Sequence, residues 1–393
     1  MRPDRNRRVV ESHTLARAAF RLAGVFGAVA AGWAIAVLVR GGSWWGPLHS
    51  FLAGSVFLAI SGASQMFTIT WAAAPAPPGR TTSLQRWTAA VGVAGILLGV
   101  ASGIEWLVWL AGSLVVASLG LLGWSIASAV RASLLRRFDL SSRFYLTAFA
   151  TAMVGVALGM VLGSGRAGDA YPTIRLVHAH LNLAGFVGLT IVGTLPTFLP
   201  TVAHHRAVSG REASVAWWAS SLGVLTMAGA LTGQHWLVGA GTLLVGAGAS
   251  LVLGGIVLRL WAKGRNRSPF LQITAGTLWL IAWAAVDGVS LLVGGAAMHF
   301  APWTGAVVLA GIGQVLAGSL GYLLPVLAGP PLSENSQRMT HRPWLPLVCA
   351  NLAGAALPTG LTEVAIVLAA IWVGDFAVRI VRLRSSSAGD IGP

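Results

Sequence analysis

His49-Ser-Phe-Leu-Ala-Gly54, running on to Phe67, lies over His180-Leu-Asn-Leu-Ala-Gly185, running on to Phe198, with nine identities in nineteen positions at a spacing of 131 residues. Each copy is a long apolar run headed by a histidine. An imidazole at the head of such a run is costly unless something binds it, and here the cost recurs at the same place in two copies. The self-match therefore sets both the architecture, an array of apolar segments with internal repetition, and the place to look for chemistry.

The composition around the match names the solvent. The chain is 55% hydrophobic and 9% charged, with a mean hydropathy of +0.76 and many uncharged windows near helix-spanning length. This is the signature of an all-α polytopic membrane protein whose first partner is the lipid bilayer. Seventeen Trp and fifty Gly suit interfacial belts and close helix contacts. The net charge of +15 is spread over short loops, with no basic stripe interleaved with aromatics, so no nucleic-acid surface is expected. The single cysteine, Cys349, excludes an intrachain disulfide and a cysteine-rich metal site held by this chain alone.

Hydropathy predicts twelve spans, at 15–39, 47–74, 86–102, 105–130, 144–164, 174–202, 213–232, 235–260, 269–294, 301–327, 343–357 and 360–383. With the N-terminus inside, Lys and Arg divide 23 to 3, leaving only Arg40, Arg166 and Arg175 outside. The positive-inside rule selects that topology, a multi-pass protein of the plasma membrane with both termini cytoplasmic. Residues 1–14 are expected to be a basic cytoplasmic segment ahead of an uncleaved anchor, 15–384 the membrane domain, and 385–393 a disordered tail.

The repetition extends past the histidine helices. Trp87 and Gly92 match Trp218 and Gly223, and after a one-residue slip Gly103-Ile-Glu-Trp-Leu-Val matches Gly233-Gln-His-Trp-Leu-Val. A fainter copy matches Gly193-Thr-Leu-Pro-Thr-Phe-Leu-Pro200 with Gly318-Ser-Leu-Gly-Tyr-Leu-Leu-Pro325, where Gly305 takes the place of His180. Twelve spans thus group into three four-helix arcs, about 15–130, 144–260 and 269–384.

In this topology His49, His178, His180, His235 and His299 fall at the outer ends of spans, while His13, His204, His205 and His341 fall in inner basic segments. The outer set is where a haem or metal centre would be built. His178 and His180 sit at i and i+2, about 200° apart on a helix, so they serve different neighbours unless the turn is unwound. The expectation is that His49 and His180, related by the repeat, approach a shared centre, with His178 facing a second one or orienting the first. His299 beside Met298 suits copper or an interfacial role. His235 aligns with Glu105 and suits an interfacial anchor. Arg175 suits a haem propionate or lipid headgroups. Gln65, Asn182, Asp287 and Gln314 need partners inside their spans. Asp287 suits a proton relay or helix-to-helix bonding, and Asp375 approaches the Arg-rich end of the last span. No nucleotide loop, HExxH pair or nucleophile elbow is present.

Twelve spans in three arcs, with His49 on the second span and His178 and His180 on the sixth, resemble the haem-copper oxidase subunit I superfamily. His178-Ala-His180, Gly185-Phe186 and the Gly193-to-Pro200 segment are similar to NnrS-like haem-copper membrane proteins. The run from His180 to Leu195 and that from Gln314 to Val326 resemble the membrane module of actinobacterial multicopper oxidases. The resemblance implies haem b, with copper as a second cofactor, held by His49, His178 and His180. It also implies electron transfer, or nitric oxide or copper handling, with a cupredoxin, multicopper oxidase or nitrite-reductase-like partner. The tenth and seventh spans lack the histidines of the oxygen-reducing members, and Gly185-Phe186 stands where those carry a tyrosine. A complete oxygen-reducing centre is therefore not expected. A different class, a secondary transporter with Asp287, Gln314 and Asn182 along its path, is the competing reading, and a scaffold that has lost its ligands is the third.

Overall fold

The computed structural model describes residues 5–133, 138–206, 210–294 and 300–389. Every regular element among them is helical. In chain order these are α1 (Arg5–Arg40), α2 (Trp45–Trp71), α3 (Gly79–Ser102), α4 (Glu105–Arg131), α5 (Asp139–Gly163), α6 (Gly168–Val202) and α7 (Arg211–Thr232). There follow α8 (Trp236–Gly264), α9 (Ser268–Leu292), α10 (Trp303–Ala328), α11 (Leu332–Thr340), α12 (Trp344–Ala356) and α13 (Thr362–Gly389). Among the described residues eleven helices, α1 to α10 and α13, are long and apolar enough to cross a membrane. The segment expected as the eleventh span is shorter: α12 has 13 residues, about 20 Å at 1.5 Å per residue against a hydrocarbon core of about 30 Å.

α2, α6 and α10 are the interior helices. Of their most apolar windows 83%, 83% and 61% is buried, against 44% or less for the rest. Each also widens into π-helix partway along, at Ser50–Val56, Leu181–Gly188 and Val307–Gly313. Bonding from residue i to i+5 is uncommon and costs stability, and it is found where packing or function demands it.

The chain divides into two compact units, Met1–Gly193 with Met227–Gln234 and Thr194–Thr226 with His235–Pro393. In the first, α1 lies along α2 at glycines eight residues apart: a Cβ on Gly46 would sit 2.2 Å from the Trp33 ring, on Gly54 2.5 Å from Phe26, and on Gly62 2.7 Å from the Ala19 Cβ. Apolar attraction does not drive helices together in lipid, so close van der Waals approach through small residues does. Gly103, at φ +66°, ends α3 in the left-handed conformation. Its geometry lets Ile104 N–H bond to Gly99 O at 2.8 Å and turns the chain into α4. A buried polar cluster joins α2, α3 and α4: Ser61 donates to Gln85 Oε1 (2.9 Å), and Gln85 Nε2 donates to Ser118 Oγ (2.9 Å). Gln65 Nε2 donates to the Ser61 carbonyl at 3.2 Å. Phe138, Tyr145 and Phe149 of the α5 region form a buried aromatic column that ends on Phe186.

In the second unit α7 meets α8 where a Gly223 Cβ would lie 2.6 Å from Gly241 O, and α9 meets α10 where a Gly276 Cβ would lie 2.6 Å from Gly311 O. Tyr322 packs edge-on against Phe198 at 5.7 Å. Asp375 is ion-paired to Arg379 of the same helix at 2.6 Å, and Arg379 is only 2% exposed.

Candidate metal or haem site

The histidine site is built in the first unit from α2, α5 and the first half of α6. His49 and His180 are each the last α-helical residue before a wide turn. His49 Nδ1 lies 2.9 Å from Trp45 O, and its ring stacks on the Trp45 indole at 4.4 Å and 25°. His180 Nδ1 lies 2.8 Å from Leu176 O. His178 reaches across helices, with Nδ1 2.7 Å from Gly155 O of α5.

A carbonyl only accepts, so each Nδ1 carries a proton, and the His49 and His178 rings keep a lone pair on Nε2. At His178 a second group, Asn182 Nδ2, stands 3.4 Å from Nδ1. The much shorter carbonyl contact decides the tautomer, and Asn182 instead donates to the His178 carbonyl at 2.8 Å. An imidazole whose Nδ1–H is anchored to a carbonyl and whose Nε2 is left as donor atom is the usual preparation of a metal-ligating histidine.

Two glycines make room for this arrangement. A Cβ on Gly159 would fall 2.8 Å from His178 Cε1, and one on Gly155 would fall 2.4 Å from Asn182 Nδ2. The bare Gly155-x3-Gly159 face of α5 is what lets the Cε1–Nδ1 edge of the His178 ring approach that helix and its Nδ1 reach the Gly155 carbonyl. Sequence reasoning missed Gly155, Gly159 and Trp45. The available signal was a Gly-x3-Gly pair in the fifth span, together with a polar Asn one helical turn after His178.

The ring that faces His49 is His178: their centroids are 6.3 Å apart and their planes 15° from parallel. The expected pairing of His49 with His180 is corrected in this respect. Helix phase gives the reason, because side chains two residues apart point to opposite sides of α6, and the side next to α5 and α2 is that of His178. His180 is fully buried on the other face. The rings lie in near-parallel planes, and a centroid spacing of 6.3 Å is within reach of a shared metal ion that both would hold through Nε2.

Arg175, one turn before His178, is exposed. His235 is exposed at the start of α8, and His299 lies outside the described residues. Asp287 is buried on α9, and Gln314 on α10 is fully buried with neither amide atom hydrogen-bonded among the described residues. Among the described residues no three His, Cys, Asp or Glu side chains form a cluster able to hold a metal ion. No protein-family model matches the sequence, and no curated protein is significantly similar to it.

Proposed function

We propose that this chain is an integral membrane haem-binding protein of haem-copper oxidase-like architecture, in which His49 and His178 together hold one haem b. The observation that carries the reading is the pair itself: two parallel imidazoles 6.3 Å apart, each with Nδ1 fixed to a carbonyl. A haem bound here would be held by the Nε2 atoms of His49 and His178. Copper is the second occupant the pair suits, since imidazole serves it equally and two ligands can suffice for the reduced ion. Gly155, Gly159 and Asn182 orient His178, Trp45 backs His49, and Arg175 lies one turn before His178, where a propionate would meet it. Bound haem supplies a one-electron couple, which suits electron exchange with a cupredoxin or a nitrite-reductase-like protein, or nitric oxide or copper handling. His180 belongs to the packing of α6 in this reading.

The reading includes three pseudo-repeated arcs, two of four full-length helices and one in which α12 is short. Two sets of contacts support the repeat. Gly62, Gly193 and Gly318, equivalent by sequence, each press the second helix of an arc on its first, at Ala19, Phe144 and Ile273. Gly92 meets Ala111 and Val115, and its counterpart Gly223 meets Gly241 and Val245. With the N-terminus cytoplasmic, as the distribution of Lys and Arg favours, the imidazole pair lies toward the outer face of the plasma membrane.

The test is the visible spectrum of protein purified in detergent. A Soret band with the spectrum of a bis-histidine b-type haem, at one haem per chain and lost in both His49→Ala and His178→Ala, is expected. A colourless preparation with no stoichiometric copper refutes the reading. The transporter alternative rests on Gln314, whose unpartnered amide inside the membrane domain is what a midplane substrate site offers. It calls for a colourless protein in which Gln314→Leu abolishes uptake.

A further inference from the structure

Away from the histidines, the second unit contains a small cavity of ≈ 10 Å³ where α9, α10, α11, α12 and α13 converge, room for about one water molecule. Its wall includes Ser268 and Gln272 of α9, Met339 of α11, and Asp375 and Arg379 of α13. The polar groups around it are nearly, but not fully, matched. Arg379 gives Nε to Asp375 Oδ2 (2.6 Å) and Nη1 to Met339 O (2.6 Å). Gln272 gives Nε2 to Ser268 Oγ (3.0 Å). Gln272 is 6% exposed, and its Oε1 has no partner among the described residues.

We infer that this cavity is a binding site for one structural water. What the walls leave over defines the ligand: the Gln272 Oε1 acceptor, buried and without a partner among the described residues. The ligand must therefore donate a hydrogen bond, and it must be no larger than one water. Water does both. An ammonium ion or a metal cation would add positive charge beside the Arg379 guanidinium, which already neutralises Asp375. Bound there, the water satisfies an amide oxygen whose burial unpaired would cost about 1–3 kcal/mol.

The experiment is X-ray hydroxyl-radical footprinting of the full-length protein in nanodiscs, reading methionine oxidation. Radicals made from a bound water oxidise its neighbours even where bulk solvent is excluded. Met339, 3% exposed, is expected to oxidise several-fold faster than the comparably buried Met66 and Met227 (5% and 0%). Gln272→Met, close in size but without the acceptor, is expected to bring Met339 down to their rate. Equal rates for the three methionines in the unaltered protein overturn the inference, as does a Met339 rate that Gln272→Met leaves unchanged.

Discussion

α2 and α6 each widen directly after a histidine, His49 or His180, whereas α10 makes the same wide turn at Val307–Gly313 after Ala306 and has no histidine anywhere along it. The turn is thus a property of these interior helices and their packing, separable from any ligand. The ring opposite His49 makes the same point from the other side. It belongs to His178, whose counterparts at offsets of 131 and 125 residues are Pro47 and Trp303. Repetition supplied a frame, and the polar pair inside it is assembled from one residue that repeats and one that does not.

The sharpest way to break this comparison is to remove the rings one at a time. His49→Ala and His178→Ala are each expected to lower bound haem to background by pyridine haemochrome assay, while His180→Gln keeps the Soret band and only lowers the melting temperature. If His180→Gln removes the haem and His178→Ala does not, the repeat partner is the ligand after all. Next in size is the cradle on α5. Gly159→Val puts carbon where the His178 ring lies, and overpacking of this kind costs about 1–3 kcal/mol. Lower haem occupancy and a shifted Soret maximum are expected, with Gly163→Val, whose Cβ would meet only the ends of Val100 and Val108, as the control on the same helix.

Smaller effects are expected in the three equivalent glycines. An alanine Cβ would come within 2.3 Å of Phe144 at Gly193, 2.7 Å of Ala19 at Gly62 and 3.0 Å of Gln272 at Gly318. Thermal melts should rank Gly193→Ala below Gly62→Ala, and Gly62→Ala below Gly318→Ala. Smallest is Gly305→His, which restores the missing imidazole to α10. No additional chromophore or metal is expected, measured as haem and copper per chain, because among the described residues a Cβ on Gly305 would meet only Leu357. A gain would mean that a histidine before a wide turn suffices by itself.

The membrane character and most of the helices were legible because charge-free apolar runs leave the chain few alternatives in lipid. α12 lies where the eleventh span was expected, and its 13 residues leave it shorter than the other apolar helices. The wide turns left no mark in the sequence: whether a helix bonds to i+4 or i+5 depends on what packs against it. The histidines could be picked out individually because imidazoles are expensive among apolar neighbours. Which two meet was not legible from the alignment of copies, because ring direction follows helix phase and the bare surface of α5, and the repeat records neither. Gly155 and Gly159 carried that information as a Gly-x3-Gly pair, one spacing among those of fifty glycines.

The two rings are moored differently: His49 is tied to its own helix through Trp45 O, His178 to another helix through Gly155 O. Any sliding of α5 along α6 therefore tugs on one imidazole and spares the other, changing how strongly His178 leans on its N–H anchor and hence how basic its free nitrogen is. In the haem-binding reading, a bound iron would sense that shift as a change in potential, set through a single backbone carbonyl.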